Sequence, residues 1–429
     1  MIKFLFKGII RDKARSLFPI IVVSIGVFVV VILDGMMGGM MGNMVVMTAN
    51  FQTGHLKVMT RAYSEEEEQK PNDLALLEVD DLIEQLEQDF PQIDWNPRIL
   101  FGGLLDIPDA NGDTKAQGPV SGQAFDLLSP KSREAARIGL IDPKTGENKA
   151  IIKGNNISQA GEILISIDFA EKFHINPGDT VTFFGATMYG SMSFSNYQIA
   201  GIVRFGNTML DRGAVILDIS DARLLLDMDD AAGEIFGFLP NEKYDREYAE
   251  TLKIKFNSLY ADIDDDFAPI MLQLADQQLM SEMLSYTQSI SFVMVFILIF
   301  ALSIVLWNTG ILGSIRRYNE FGIRLALGEE KKRIYRALLT ESLIIGIIGS
   351  ILGTILGLVI CYILSVYGLN FTKLMGNITM MIDPVIRTKI TLRLYYIGFI
   401  PGIFSMLIGT ALAGRAIYKR KTATLFKEL

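Results

Sequence analysis

Two uncharged apolar runs, Ile290 to Leu312 and Leu343 to Val366, enclose a segment that carries Arg316, Arg317, Arg324, Lys331, Lys332, Arg333 and Arg336. Apolar runs of this length are read as membrane spans, and a basic loop between two spans stays on the cytoplasmic side. Within the loop Phe321, Ile323, Leu325, Ala326 and Leu327 are apolar, and Gly322 and Gly328 bracket a short helical stretch. Glu320 sits in its first turn, where the helix dipole favours an acid. A short amphipathic helix across the inner ends of two spans has a free apolar face and requires a partner.

Charge is distributed unevenly. Residues 48–285 hold 19 Lys and Arg against 40 Asp and Glu, whereas the remainder holds 21 against 8. The long insert is therefore an acidic, water-soluble domain, and the positive charge collects at membrane flanks. Nucleic acid is excluded as a partner, since an acidic domain repels phosphate. The one cysteine, Cys361, cannot form a disulfide within the chain, and His55 and His174 lie far apart without a neighbouring ligand set. No metal site and no cofactor are expected.

Residues 1–16, with Lys3, Lys7, Arg11, Lys13 and Arg15 among Phe4, Leu5, Ile9 and Ile10, predict a basic amphipathic helix on the inner surface. Residues 17–47 predict an uncleaved first span. At about 1.5 Å per residue it extends roughly 45 Å, beyond a hydrocarbon core of about 30 Å. A signal peptide is the competing reading, but no Ala-x-Ala site follows the apolar core. On the outer half, Met36, Met40, Met44 and Met47 share one face at i, i+4, i+8, i+11, and Gly35, Gly38, Gly39 and Gly42 permit close helix approach. The methionine face is read as lining an entrance for lipid or acyl chains; packing against a dimer partner and a copper cluster are the other readings. Asp34, just past the apolar core, is either functional or a solvated cap.

In the insert, Asn50 to Met59 predicts a strand, Glu65 to Glu68 a solvated loop, and Leu74 to Phe90 an amphipathic helix ended by Pro91. Strands are predicted at Pro97 to Asp106, around Val120, at Ile235 to Leu239 and at Ala261 to Ile270, with a helix at Asp245 to Leu259. The intervening 125–233 is β-rich, with alternation in Thr180 to Phe184 and Tyr197 to Val203. Asp211, Asp218 and Asp221 are read as turn and helix caps. Gln273 to Gln288 predicts a helix rising into the second span, 286–313, which contains Asn308. The third span, 341–367, holds Gly346, Gly349, Gly353 and Gly357, a small-residue seam for helix packing. Residues 368–391 form an external loop, 392–414 the fourth span and 415–429 a basic inner tail, which puts both termini in the cytoplasm.

The run RRYNEFGIRLALGEEKKRI followed by LLTESLIIGIIGSILGTILG resembles the signature of the MacB/FtsX/LolC-type ABC transporter permeases: an arginine-rich turn, Glu-[Ile/Phe]-Gly-Ile, Ala-[Leu/Ile]-Gly, a basic helix, then Glu followed by a glycine-rich span. TGH-x-x-V at Thr53 to Val58 and the 125–233 stretches are similar to the same family. The C-terminal KTATLFKEL departs from it in lacking a proline. The resemblance makes Glu320, Gly322, Ile323, Arg324, Ala326, Leu327 and Gly328 the coupling helix that seats in a separate ATPase, and has Asn308 and Glu341 matching family positions. It implies four transmembrane helices plus a large α+β extracytoplasmic domain, porter-like at about 50–124 and 234–272 with an inserted β-rich subdomain at about 125–233. It further implies an inner-membrane permease working with two ATPase copies and a second permease, identical or homologous, with a periplasmic carrier or membrane-fusion protein and membrane lipids as further partners, and lipoprotein, lipid or another amphipathic cargo.

No Gly-x-x-x-x-Gly-Lys-[Ser/Thr] occurs, so nothing here cradles a nucleotide phosphate. No nucleophile-base constellation occurs either, and the chain is not read as an enzyme. A regulator that activates a cell-wall hydrolase in the FtsX manner is the alternative function.

Overall fold

The computed structural model describes residues 13–109, 112–142, 145–206, 208–316, 323–324, 327–370 and 385–419. The described residues separate into two compact units, one within 44–282, the other within 13–43, 283–370 and 385–419.

The acidic insert is built on α1 (Lys13–Thr48), whose last residues belong to it, then β1 (Leu56–Thr60), α2 (Val79–Asp89), β2 (Asp94–Pro108), β3 (Thr114–Phe125), β4 (Ile151–Gly154), β5 (Glu162–Ser166), α3 (Ile167–Phe173), β6 (Thr180–Ala186), β7 (Met192–Val203), β8 (Ala214–Asp218), α4 (Ile219–Leu226), β9 (Glu234–Phe238), α5 (Arg246–Leu259) and β10 (Pro269–Gln273). Strands β10, β1, β9 and the first half of β2 form an antiparallel sheet. Leu56, Val58, Ile235 and Trp95 on this sheet share one core with Val79 and Leu86 of α2 and Leu252 and Phe256 of α5. The free edge of β10 is closed by Asn257, whose amide accepts from Met271 N–H at 2.8 Å and donates to its carbonyl at 3.0 Å, so this edge cannot recruit another strand there.

From Ile99 onward β2 leaves that sheet. It pairs with β3 and β6, and the ladder continues β3–β8–β5–β7–β6, returning to its start as a closed six-stranded barrel. Ile99, Phe101, Leu105, Ile163, Ile165, Val181, Phe183, Val215 and Leu217 alternate into the main core, while Leu164, Ala214 and Ile216 face a second cluster with Phe51, Phe125, Ile138 and Phe205. Strands β5 and β8, apolar on both faces, therefore read as continuous runs rather than alternating ones.

Several predicted boundaries are corrected. The first strand begins at Leu56, because Ala49–Thr53 forms a π-helical turn. The predicted helix from Leu74 begins at Val79: Leu76–Leu77 pair with Ala231–Ala232, and Glu78 takes a left-handed conformation at φ 53°. The strand expected over Ala261 to Ile270 is Pro269–Gln273, since Asp265 accepts the Phe267 N–H in a tight acidic turn. The rising helix starts at Gln278 after a short turn capped by Gln273 and Asp276. The β-rich part takes strands from Ile99, so its edge lies before the expected 125.

The other unit contains the first part of α1, then α6 (Gln278–Arg316, from Met283), α7 (Lys331–Tyr367) and α8 (Phe399–Lys419), the last preceded by the turn Leu394–Ile397. Three helices among the described residues are long and apolar enough to cross a membrane, Ser16–Thr53, Lys331–Tyr367 and Leu394–Gly414; Phe292–Asn308 within α6 is a shorter apolar stretch. Val23, Val27, Val31, Leu306, Ile345 and Met406 form the core of this unit. The predicted helix at 1–16 falls mainly, and the tail at 415–429 partly, outside the described residues.

Candidate functional site

The glycines of α7 fit α1 residue by residue. A Cβ at Gly349 would lie 2.8 Å from Val23 Cβ, one at Gly353 2.7 Å from Val27 Cβ, and one at Gly357 2.7 Å from Val31 Cβ. Each valine fills the notch left by a glycine four residues on from the last, so the two helices run side by side with backbones in near contact. Ser24 Oγ adds a hydrogen bond to the Gly349 carbonyl at 3.1 Å. Gly346 instead faces α8, 3.2 Å from the Gly402 carbonyl on the same measure. Asn308 is exposed on the single chain.

The outer glycines of α1 serve two kinds of neighbour, a helix and an extended stretch of main chain. A Cβ at Gly39 would lie 1.7 Å from the Arg387 carbonyl oxygen, and Lys389 N–H donates to the Gly35 carbonyl at 3.1 Å. Gly39 thus admits the main chain after Val385–Ile386, while Gly35 also meets α7, a Cβ there lying 2.8 Å from Cys361 Sγ. Asp34 pairs with Arg393 at 3.3 Å, its side chain 12% exposed. On the methionine face, Met40 and Met44 are exposed and Met36 and Met47 half-buried, Met47 against the second cluster of the insert.

Of the predicted coupling residues, Ile323, Arg324, Leu327 and Gly328 are described; Glu320, Gly322 and Ala326 lie outside the described residues. Leu327 N–H donates to the Ile323 carbonyl and Glu329 N–H to the Arg324 carbonyl, both at 3.0 Å, while Gly328 stands at φ 88°. This six-to-one bond around a left-handed glycine is a Schellman closure of a helix. Ile323 and Leu327, four residues apart and so on one face, are 61% and 82% exposed.

Inside the insert, a charged network not foreseen from the sequence holds the turn that follows α1. Arg98 of β2 and Arg137 both pair with Glu134, which is fully buried; Arg137 also pairs with Asp94 at 2.5 Å. Arg98 lies 4.0 Å above the Phe125 ring and Arg137 3.8 Å above Phe238. Next to them Lys57 pairs with Glu234 at 3.2 Å and with Glu67, so Glu67 is not the solvated residue its EEEE run suggests. Burial lowers the Arg98 pKa to about 10 and raises that of Glu234. The network grips Asn50: Asn50 Nδ2 donates to the Arg137 carbonyl at 2.7 Å, and Arg98 Nη2 donates to the Asn50 carbonyl at 3.3 Å. These residues escape a sequence reading because they come from five separate segments; the only local signal is a charge inside an otherwise apolar strand, as at Lys57 and Arg98.

His55 is buried, 5.6 Å from the Phe238 ring, and its Nδ1 accepts the Leu239 N–H at 3.0 Å. Burial, reinforced by the Arg137 charge, lowers its pKa to about 4. Asp211 accepts from Phe205 and Gly206 N–H, Asp218 caps α4 through Ser220 N–H, and Asp221 accepts from Gly161 N–H. Among the described residues no group of three His, Cys, Asp or Glu is placed to hold a metal ion.

Residues 292–422 match the FtsX-like permease C-terminal family and residues 16–258 the MacB-like periplasmic core domain family. A solved structure, the periplasmic region of MacB from Actinobacillus actinomycetemcomitans, is similar at 10% identity and a TM-score of 0.36, over 55% of this chain and 95% of that one. No curated protein matches the chain.

Proposed function

The chain belongs to the MacB/FtsX-type permeases, the MacB-like core domain alone matching more than half of it, and from that premise we propose that it is the four-span permease subunit of an ABC transporter that moves an amphipathic cargo at the outer face of the inner membrane. Its family forms the transmembrane component of ABC transporters, with the ATPase in a partner. The observation that carries the reading is the helix end closed at Gly328. Ile323 and Leu327 are two large apolar side chains left exposed there, with no partner among the described residues. Two such turns, one from each of two permeases, each seat in one ATPase.

The fourth span in this reading is α6, whose apolar stretch Phe292–Asn308 covers about 25 Å at 1.5 Å per residue. Both termini and the coupling turn lie in the cytoplasm and the acidic insert in the periplasm. ATP-driven closure of the ATPase pair brings the coupling turns together. The glycine and valine seam makes α1 and α7 move as one piece, and α1 delivers that movement to the clamp on Asn50. The barrel and its neighbouring sheet are displaced as a unit, so that cargo held outside is expelled without passing through the chain. The exposed Met40 and Met44 suit acyl chains of varied shape.

Affinity purification of the tagged chain from its native membrane in mild detergent, followed by mass spectrometry, tests this. An ABC ATPase in equal amount supports the reading, and a lipoprotein or fusion protein beside it names the cargo branch. A hydrolase with coiled-coil segments beside the ATPase transfers the assignment to a hydrolase regulator, and absence of any ATPase overturns both.

A further inference from the structure

The outer end of the membrane unit carries charge of the sign that membrane flanks on that side ordinarily lack. Arg387, Lys389 and Arg393 fall within seven residues, and from Pro384 to Lys427 the sequence contains no Asp or Glu. The segment is pinned to the helices behind it: Lys389 N–H donates to the Gly35 carbonyl at 3.1 Å and Thr388 Oγ1 to the Cys361 carbonyl at 2.5 Å. Burial alternates accordingly, with Thr388 buried and Arg387 and Lys389 both exposed. Two cations on one side of a fixed backbone form a preset pair rather than two independent surface residues. Arg393 is half-taken by Asp34 at 3.3 Å; among the described residues Arg387 and Lys389 have no ion-pair partner.

Directly after these cations come Leu392, Tyr395 and Tyr396, which are 84%, 54% and 58% exposed. Exposed tyrosines beside a bare leucine mark the level at which headgroups meet acyl chains. We infer that Arg387 and Lys389 bind the phosphate of an anionic phospholipid in the outer leaflet, with Leu392 and the two tyrosines against its glycerol and upper acyl region. The site fixes the lipid beside the exposed Met40 face, where the proposed cargo would enter. This inference rests on the orientation given under Proposed function.

The purified full chain in mild detergent is titrated with fluorescent short-chain phosphatidylglycerol, with phosphatidylcholine and inorganic phosphate as competitors. The expected result is tighter binding of the anionic lipid. R387Q/K389Q should weaken it about thirtyfold, at about a factor of five per cation. R387K/K389R, which keeps both charges, should bind as the parent, and K331Q/K332Q on the opposite face should change nothing. Equal binding by R387Q/K389Q, equal competition by phosphatidylcholine, or displacement by inorganic phosphate at matched concentration overturns the inference. Labelling of K389C in spheroplasts with a membrane-impermeant maleimide separates the two readings. Labelling without lipid binding defeats this inference alone, whereas failure to label defeats the orientation on which it stands.

Discussion

Asn50 and Arg137 are tied by a 2.7 Å hydrogen bond from the Asn50 amide to the Arg137 carbonyl, and the Arg98 guanidinium returns a bond to the Asn50 carbonyl. The chain leaving α1 is thus held by groups that are themselves fixed in a buried ion-pair network. Asn50→Ala removes one hydrogen bond of about 1 kcal/mol. It should raise amide exchange across 48–54 while the barrel stays protected. Arg98→Met leaves Glu134 short of a partner in the interior and should cost about 3–5 kcal/mol, read as a lowered unfolding midpoint of the purified chain. A midpoint equal to the parent's would mean that the network does not hold the fold.

The seam between α1 and α7 predicts a steep dependence on side-chain size. At Gly353 a leucine has no space, because Ser24 O and Val27 Cβ stand 2.5 Å and 2.7 Å from where its Cβ would be. Gly353→Leu should cost at least about 1–3 kcal/mol as overpacking and lower recovery of folded protein from detergent. Ile351→Leu, on an exposed side of the same helix, should be neutral. Equal thermal stability of the two variants would remove the seam from the account.

Leu327 tests coupling apart from folding. Its side chain is 82% exposed, so Leu327→Asp should leave the unfolding midpoint within about 0.5 kcal/mol of the parent while eliminating co-purification of the ATPase. Retention of the ATPase at parental stoichiometry would contradict the proposed contact. Gly328→Val, which forces a β-branched residue to φ 88°, should weaken the same capture by unravelling the helix end.

His55 predicts a pH dependence of defined sign. Its folded pKa of about 4 lies below the unfolded value of 6.5, so between those values the unfolded chain binds more protons. The stabilisation is fully present above pH 6.5 and is lost as pH falls toward 4, to a total of roughly 3 kcal/mol. His55→Asn keeps an acceptor for the Leu239 N–H but does not titrate. From pH 7 to pH 4.5 the parent's unfolding midpoint should therefore fall relative to the variant's, and a pH-independent difference would show that His55 does not titrate on unfolding.

The apolar runs, the basic turn and the Gly349, Gly353 and Gly357 spacing were legible because each is local: period and composition along one helix dictate what that helix presents. Gly328 likewise announced a helix end, and a left-handed glycine stands there. The alternation around Phe183 and Tyr197 marked half-buried strands, but not that their neighbours closed into a barrel. Closure depends on β2 pairing with β6 some 80 residues later, and no local period encodes that. The neighbour of Gly39 is not encoded locally either, since Gly39 meets the main chain at Arg387, nearly 350 residues away.

The sequence by itself determined the class of the molecule: membrane helices around a basic loop, and a long acidic insert of mixed helix and strand. Hydropathy and charge act on each segment independently of what it later touches, so they survive without a fold. Only the tertiary structure decided which charges are buried. Lys57, Arg98, Glu134, Arg137 and Glu234 are far apart in the sequence, yet they meet in the interior because three strands and the short helix Glu134–Arg137 converge there. A charge can be kept out of water only when its partner arrives with it, and that partner is chosen by the fold.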